Sequence, residues 1–256
     1  MKKKFLVIII CLLSLVMFSA TGCTMFKQTL EPTLTEIVNS DKTYTYKNSK
    51  NKIIFDHISC KLMFKNGYSV INDGEKYGVV NTRAEYVIPV IYDSIRDENG
   101  LYVCLTETVD GIKTFFIDVT GNVKYSFNTE FVQAFSDGLA AVMINNKWGY
   151  IDKAGKWVIK PLYGGYEDSD CRPFAGDFYK GYTGVYLGSG EVSPCDTNLI
   201  KTNLFAIIDK KGNIVKRYDF LLPIQNERGE QEYTVIKNNK SYLVNYCGKV
   251  IKEGWF

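Results

Sequence analysis

The chain has 256 residues, of which 46% are hydrophobic and 23% charged, with a formal net charge of +3; this balance excludes global disorder. A single histidine, His57, excludes histidine-rich metal sites and disfavours a Ser-His-Asp hydrolase. Aromatic residues make up 14%, and 21 Gly stand against only 6 Pro, so the composition favours short strands joined by tight turns.

The N-terminal segment has the features of an export signal. Lys2–Lys4 is a positive region, Phe5–Phe18 is apolar apart from Ser14, and small residues follow. The apolar run of 14 residues is shorter than the ~20 that a membrane-spanning helix needs. We therefore predict that residues 1–22 are a cleaved signal peptide, with a retained transmembrane anchor as the alternative.

Cys23 directly follows these small residues, a pattern that resembles the bacterial lipobox. In that family a diacylglycerol is transferred to the cysteine sulfur, and cleavage leaves the cysteine at the N-terminus. Ala20 stands where the lipobox usually carries Leu. The resemblance implies lipidation at Cys23 and a firm hold on the lipid membrane, at the outer face of the cytoplasmic membrane or elsewhere in the envelope. Ordinary cleavage, which would release a soluble secreted protein, is the alternative.

The mature chain is predicted to begin with a tether over residues 23–51. Asp41–Asn51 is polar and rich in Lys and Asn, and one short helix is expected over Leu34–Val38, after Pro32. Such a spacer holds the domain of a lipoprotein away from the membrane. Because the segment 1–22 removes three lysines and no acid, the mature chain is near neutral, and no nucleic-acid partner is expected.

Residues 52–256 contain a repeated pattern: an apolar pair, Asp or Asn, two variable positions, and then Gly or Ala. The Asp or Asn positions are Asn81, Asp118, Asp152, Asp209 and Asn245, spaced 37, 34, 57 and 36 residues apart. A carboxylate or amide can cap a turn, and Gly can take a positive φ, so each segment predicts a tight turn between strands. The recurrence favours a turn-forming role for these acids over a catalytic one. Because adjacent strand residues face opposite sides, the apolar pairs predict strands buried on both faces.

One unit is much more regular than the others. In it Lys147–Asp152 reads Lys-Trp-Gly-Tyr-Ile-Asp, and Gly155, Pro161 and Tyr163 follow. This unit resembles the bacterial WG-repeat (KWG-repeat) family, and Lys76–Asn81 is a weaker match. The units around 114–115, 205–206 and 241–242 lack the Trp-Gly pair and depend on the turn pattern alone. The resemblance implies a β-rich repeat domain, often on exported proteins, without a shared enzymatic reaction.

The predicted fold is therefore all-β, a repeat architecture of short antiparallel strands. A single unit of ~35 residues cannot bury its apolar faces alone, so neighbouring units must stack. We expect a propeller-like ring of about five small sheets, with an open β-solenoid as the alternative. Gly149 and Gly78 interrupt strands, which indicates a close approach of another backbone or ring. The aromatics before them, Trp148 and Tyr77, are expected to pack between units.

An insertion around 164–202 accounts for the long spacing, and it combines Tyr, Gly and acidic residues such as Asp177. Loops of this composition on a rigid scaffold often bind ligands, and a decorative hairpin is the alternative. The candidate binding residues are Tyr163, Tyr166, Tyr179, Tyr182 and Tyr186. Cys171 and Cys195 flank the insertion and are a possible disulfide, with buried thiols as the alternative.

The sequence contains no catalytic constellation and no complete metal-binding or cofactor-binding motif. Asp97–Gly100 and Asp168–Asp170 are better explained as turns than as calcium loops. His57 and Cys60 are separated by three positions in a predicted strand, which places their side chains on opposite faces.

We therefore expect no metal, no cofactor and no enzymatic activity. The expected function is that of a lipid-anchored binding or scaffolding module for a protein or a cell-wall glycan. The alternatives are a propeller-type glycan hydrolase with carboxylates on its loops and a purely structural envelope protein.

Overall fold

The computed structural model describes residues 34–164, 175–188 and 204–254, and every regular element in these ranges is a β-strand. The strands form six antiparallel sheets of three or four strands, numbered sheet 1 to sheet 6 along the chain. The all-β repeat architecture expected from the sequence is confirmed. In these ranges no helix is present that could cross a membrane.

Each sheet is built from strands that are consecutive in the chain. Sheet 1 contains β1 (Thr35–Val38), β2 (Tyr44–Lys47) and β3 (Ile53–Ile58). Sheet 2 contains β4 (Tyr68–Asn72), β5 (Tyr77–Asn81) and β6 (Tyr86–Tyr92). Sheet 3 contains β7 (Ser94–Asp97), β8 (Leu101–Thr108), β9 (Gly111–Asp118) and β10 (Val123–Thr129).

The remaining three sheets follow the same order. Sheet 4 contains β11 (Phe131–Val132), β12 (Leu139–Ile144), β13 (Lys147–Asp152) and β14 (Trp157–Gly164). Sheet 5 contains β15 (Tyr182–Tyr186), β16 (Phe205–Asp209) and β17 (Ile214–Tyr218). Sheet 6 contains β18 (Phe220–Gln225), β19 (Gln231–Lys237), β20 (Lys240–Asn245) and β21 (Val250–Glu253).

The apolar pairs of the middle strands are buried on both faces, as the sequence predicted. In β13, Tyr150 packs in the cluster shared with sheet 5, whereas its neighbour Ile151 packs in the cluster shared with sheet 3. Phe116 and Ile117 of β9 divide in the same way between sheets 4 and 2. The pair alternates because successive strand residues point to opposite faces.

Five hydrophobic clusters hold the sheets together, and each joins two successive sheets. None of these clusters of described residues joins sheet 6 to sheet 1. In the last sheet, Val244 packs toward sheet 5, while its neighbour Leu243 belongs to none of the clusters. The described sheets thus form a consecutive stack, and closure of the stack into a ring stays a prediction.

The five Asp and Asn positions of the repeat lie in equivalent turns. In each of them the side-chain Oδ1 accepts the backbone N–H groups two and four residues later. For Asp152 these donors are Ala154, at 2.9 Å, and Lys156, at 3.0 Å. The other four positions are Asn81, Asp118, Asp209 and Asn245. The predicted turn-forming role is confirmed for all five.

A sixth unit lies at the start of the described chain. Asn48 accepts the N–H groups of Lys50 and Lys52, both at 3.0 Å, which repeats the same turn 33 residues before Asn81. Its fourth position is Asn51, with a φ of 60°, where the other units carry Gly or Ala. These residues were expected to lie in the tether, so the described residues form six sheets where about five were expected.

The helix expected over Leu34–Val38 is absent, and that prediction was wrong. Thr35–Val38 is strand β1, which pairs with Tyr44–Lys47 across a tight turn. The first sheet buries Tyr46 and Phe55 against sheet 2. Pairing with a strand only a few residues away therefore overrides the weak local signal for a helix.

Glycines at the centre of two sheets lie against backbone, as predicted. A Cβ on Gly149 would lie 2.6 Å from the carbonyl oxygen of Ile159, and one on Gly78 would lie 2.7 Å from that of Ile88. Both carbonyls belong to the last strand of the same sheet, β14 in sheet 4 and β6 in sheet 2, near an irregularity in the strand register. The Gly of the Trp-Gly pair thus allows this close approach. Trp148 is 4% exposed and packs between sheets 4 and 5.

Candidate functional site

One cleft of the described residues has a volume of 590 Å³ and lies between sheets 4, 5 and 6. It is lined by the first strands of sheets 4 and 6 and by a short segment, Ala175–Asp177, that pairs beside β15. The lining residues are Phe131, Gln133, Trp148, Ala175, Gly176, Asp177, Pro223, Ile224, Gln225 and Gln231. We call this site the inner cleft. Its volume lies within the range of small-molecule sites.

Sheet 4 fixes the segment 175–178 through three side chains that donate to its carbonyl groups. Gln133 Nε2 donates to Ala175 O at 3.0 Å, and Tyr150 Oη donates to Gly176 O at 2.9 Å. Ser136 Oγ donates to Phe178 O at 2.7 Å. The ring of Phe178 is buried against Tyr150 in the core. Asp177 is therefore held on a rigid backbone at the wall of the inner cleft.

Gln133 lies in the wall of the inner cleft and carries an acceptor without a partner among the described residues. Its Nε2 is engaged by Ala175, and its Oε1 is buried without a hydrogen-bond partner among the described residues. A buried acceptor without a partner costs about 1–3 kcal/mol. A ligand that donates a hydrogen bond to this oxygen would offset that cost.

Asp177 supplies a second acceptor, and its surroundings shift its titration. Desolvation at the cleft wall raises the pKa of Asp177 above its ordinary value, although the residue is exposed to solvent. The positive charge of Arg96 opposes this shift, and the negative charge of Glu98 adds to it. In its ionised form the carboxylate is an acceptor only.

Arg96 and Glu98 join sheet 3 to sheet 4 beside the inner cleft but are not part of its lining. Arg96 Nε donates to Glu98 Oε1 at 2.6 Å, and its Nη2 donates to the carbonyl of Gln133 at 2.9 Å. Glu98 Oε2 accepts the N–H of Phe135 at 3.3 Å. Both oxygens of Glu98 thus have structural partners, so among the described residues the inner cleft has one available carboxylate, that of Asp177.

The aromatic part of the inner cleft comes from Phe131 and Trp148. Their rings are tilted with centroids 6.5 Å apart, and Phe131 is 36% exposed. No Lys or Arg side chain in the described part of the chain lines the cleft. The described walls therefore combine an exposed aromatic ring with hydrogen-bond acceptors and carry no cationic group.

Two of the tyrosines predicted to bind ligand lie in the core instead. Tyr163 is 3% exposed and donates to Gly212 O of the next sheet at 3.3 Å, and Tyr186 is fully buried against Phe205. This burial removes both side chains from a ligand-contacting rim. The apolar environment between sheets favours packing of their rings over exposure.

Two other candidate tyrosines, Tyr179 and Tyr182, are partly buried and lie against Tyr246 of sheet 6. Their ring centroids are 5.6 Å and 6.0 Å from that of Tyr246. Lys180 lies over the rings of Tyr179 and Tyr246 and pairs with Glu230 at 2.8 Å. This tyrosine cluster connects sheets 5 and 6 and does not line the inner cleft.

Several predicted features fall outside the described residues. These are the signal peptide, Cys23, Tyr166, and the pair Cys171 and Cys195. Part of the predicted insertion belongs to the repeat itself, because residues 175–187 contribute β15 and the adjoining segment to sheet 5.

The described part of the chain offers little for redox or metal chemistry. It contains three thiols that form no disulfide, those of Cys60, Cys104 and Cys247. Burial raises the pKa of Cys104 to about 12, so this thiol stays protonated. No group of three His, Cys, Asp or Glu side chains in the described ranges is arranged to hold a metal ion. The Nδ1 of the exposed His57 lies 2.9 Å from Asp56 Oδ1.

Sequence reasoning missed most of the inner cleft. Asp177 was noticed as an acidic residue of the insertion, but Phe131, Gln133 and Gln225 carry no motif. The sequence signal that could have indicated the cleft was the position of these residues in their sheets. Phe131 begins sheet 4, and Pro223 lies in the first strand of sheet 6. First strands of stacked sheets meet along one side, where a cleft can form.

The comparisons with known proteins agree with the repeat pattern. A family described as WG containing repeat matches residues 77–103, 115–148 and 148–189, which confirms the resemblance seen in the sequence. No curated protein matches the chain.

Solved structures with similar β architecture share little sequence with the chain. KlHsv2 with loop 6CD replaced by a Gly-Ser linker is 10% identical, with 84% of this chain and 75% of that chain covered and a TM-score of 0.41. The extracellular domain of a putative one component system from B. thetaiotaomicron is 11% identical, with 84% and 33% covered and a TM-score of 0.34. The V. cholerae biofilm matrix protein Bap1 is 10% identical, with 86% and 60% covered and a TM-score of 0.24. These similarities carry no assignment of function.

Proposed function

Because a family described as WG containing repeat matches residues 77–103, 115–148 and 148–189, we propose that the chain is a membrane-anchored, extracytoplasmic module that binds or scaffolds a partner in the cell envelope. A stack of small sheets provides a rigid surface on which a binding site can form. The observation that carries the proposal is the inner cleft, which three successive sheets build together. A protein and a cell-wall glycan are the two classes of partner that the proposal includes.

Export and anchoring are supported by the sequence of the first 23 residues. A positive segment, an apolar run and small residues before Cys23 are the features that a lipid-modified export signal needs. Two or three acyl chains would hold the domain at the membrane far more firmly than one.

The anchoring proposal is tested by fractionation and by the intact mass of protein extracted from membranes. We expect an acyl mass on Cys23 and loss of the membrane fraction in the Cys23→Ser variant. Cys60→Ser makes the same chemical change at a described thiol and is expected to stay with the membrane. An unmodified soluble wild-type chain would contradict lipid anchoring.

Binding through the inner cleft is tested by capture from envelope preparations with the lipid-modified protein in detergent. Phe131→Arg places a charged side chain in the cleft, whereas Leu162→Arg makes a matched change at a residue of β14 that is 61% exposed. We expect the first variant to lose captured envelope material and the second to retain it. Equal capture by both variants would show that the cleft is not the binding site, and no capture by the wild type would contradict the binding function.

A glycan hydrolase is the second candidate, and one observation favours it. Glu98 raises the pKa of Asp177, so two carboxyl groups are close enough to interact. A hydrolase of this type needs both carboxyl groups free in a concave site. Glu98 is 9% exposed and bound to Arg96 and Phe135, so we favour binding without catalysis. Release of reducing sugar from envelope glycan, abolished by Asp177→Asn, would instead establish the enzyme.

A further inference from the structure

The inner cleft contains two hydrogen-bond acceptors in adjoining parts of its wall, and these acceptors favour a particular chemistry of ligand. Gln133 Oε1 lies on the wall from sheet 4, and Asp177 lies on the segment beside β15. Since Gln133 Nε2 is engaged by Ala175, the free end of this amide is its oxygen. Among the described residues of the cleft, two acceptors and no lining cation favour a ligand that donates hydrogen bonds and disfavour an anionic one.

The third wall element is apolar and aromatic. Phe131 keeps 36% of its surface exposed beside Trp148, and Pro223 comes from the opposite sheet. A ligand that fits these walls needs an apolar face for the ring of Phe131 as well as outward-pointing donors. A sugar ring has both, because its C–H groups form an apolar face and its hydroxyl groups donate hydrogen bonds around the rim.

We propose that the inner cleft binds a neutral sugar ring of an envelope glycan, with Phe131 beneath its C–H face and with Gln133 Oε1 and the Asp177 carboxylate accepting from its hydroxyl groups. This inference rests on the proposed binding function and narrows its partner class. The segment of Asp177 is fixed before the ligand arrives by donors from Gln133, Tyr150 and Ser136. Such preorganisation reduces the entropy lost on binding.

A basic amine could also pair with Asp177, so it is the competing ligand in the test. An amine would gain from the carboxylate alone, whereas a sugar uses the carboxylate, the amide oxygen and the aromatic ring together. Binding of an amine should therefore depend on Asp177 alone, whereas binding of a sugar should depend on Asp177, Gln133 and Phe131.

The test is calorimetric titration of the lipid-modified protein in detergent with defined probes. The neutral probes are tetrasaccharides of glucose and of N-acetylglucosamine; tetragalacturonate is the acidic probe and trilysine the basic one. We expect at least one neutral probe to bind and the other two classes to bind more weakly. Preferential binding of tetragalacturonate or trilysine, or no binding of any neutral probe, overturns the inference.

Variants locate the sugar on the walls of the inner cleft. We expect Asp177→Asn and Phe131→Ala each to weaken the affinity for the neutral probe by about tenfold, and Gln133→Met by about fivefold. Asp110→Asn changes the same side-chain type on an exposed turn and is expected to bind like the wild type. Wild-type affinity in all three cleft variants overturns the inference.

Saturation-transfer NMR uses the wild-type protein only, so its result is not affected by whether the variants fold. The C–H protons of a bound sugar should receive magnetisation from aromatic protons, and their failure to do so while the sugar binds contradicts the stacking on Phe131. If neutral probes fail but Phe131→Arg still reduces capture of envelope material, the sugar inference falls and the binding function stands. If both fail, both are wrong.

Discussion

The turns that close sheets 4 and 1 have the same backbone hydrogen bonds but different residues at their fourth position. In sheet 4 the turn begins at Asp152 and its fourth residue is Gly155, with a φ of 78°. In sheet 1 the turn begins at Asn48 and its fourth residue is Asn51, with a φ of 60°. Both positions are left-handed, so backbone conformation alone does not explain the choice of Gly.

The neighbouring sheet explains it. Sheet 3 presses the ring of Tyr125 onto the turn of sheet 4, and a Cβ on Gly155 would lie 2.6 Å from its Cδ1. The Tyr125 hydroxyl also donates to Lys153 O at 3.2 Å. In sheet 1, Asn51 is exposed, and no described sheet precedes it. In this pair of turns, Gly stands where the ring of the preceding sheet packs on the turn, and Asn stands where the turn is exposed.

The largest expected effect comes from placing the residue of sheet 1 into sheet 4. Gly155→Asn keeps a side chain that tolerates positive φ but introduces a Cβ against Tyr125. We expect the free energy of unfolding to fall by about 2 kcal/mol, the cost typical of overpacking. Urea unfolding followed by tryptophan fluorescence and circular dichroism measures this change.

Gly229→Asn is the control for that variant. Gly229 has a φ of 72°, and a Cβ there would meet nothing within 4 Å. We expect a loss below about 0.5 kcal/mol, because Asn is among the residues that accept this conformation most readily. Equal losses at both positions would mean that backbone strain, and not the neighbouring sheet, selects the glycine.

The second prediction concerns the side chain that begins the turn. Asp152→Ala removes the acceptor of two backbone N–H groups and is expected to lower the free energy of unfolding by about 1 kcal/mol. Asp152→Asn keeps an acceptor oxygen, as Asn48 does in sheet 1, and should cost less than half as much. A loss in Asp152→Asn as large as that in Asp152→Ala would show that charge, rather than the turn hydrogen bonds, stabilises this position.

The repeat could be predicted because its turns depend on short-range chemistry. Asp or Asn followed three residues later by Gly is visible in the sequence, and the apolar pair before it indicates burial on both faces. The first unit was missed because Asn51 replaces Gly where no neighbour presses on the turn. Packing of a neighbouring ring accounts for the Gly at position 155, and the absence of a described neighbour allows Asn at position 51, so the first turn lacks the Gly that marks the pattern.

The inner cleft could not be predicted in the same way. Gln133, Asp177 and Pro223 reach one site only through the stacking of three sheets, and 90 residues separate the first from the last. The tyrosines of the insertion illustrate the opposite error. Their composition is typical of binding loops, but Tyr163 and Tyr186 pack between sheets because the stack needs large apolar rings there.

The third prediction places the glycine of the sheet 4 turn into the turn of sheet 1. Asn51→Gly is expected to change the free energy of unfolding by less than about 0.5 kcal/mol, because relief at positive φ is offset by the greater freedom of Gly in the unfolded chain. Asn51→Ala, which lacks the side chain that tolerates this conformation, should lose about 1 kcal/mol. A gain above 1 kcal/mol in Asn51→Gly would show that the first turn is strained and that an exposed position also needs Gly.

The smallest effect is the pH dependence of turns that begin with Asp, compared with those that begin with Asn. In sheet 3, hydrogen bonds from the Thr120 hydroxyl and the Asn122 N–H lower the pKa of Asp118, as does the charge of Lys124. A carboxyl group whose pKa is lowered by folding stabilises the protein above its unfolded pKa, near pH 4, and loses this contribution as the pH falls through the folded value. The wild type should therefore lose more stability between pH 7 and pH 3 than Asp118→Asn, as measured by urea midpoints at both values. Since Asn accepts the same N–H groups without titrating, equal losses would mean that Asp118 contributes through its hydrogen bonds alone and that its charge is incidental to the turn.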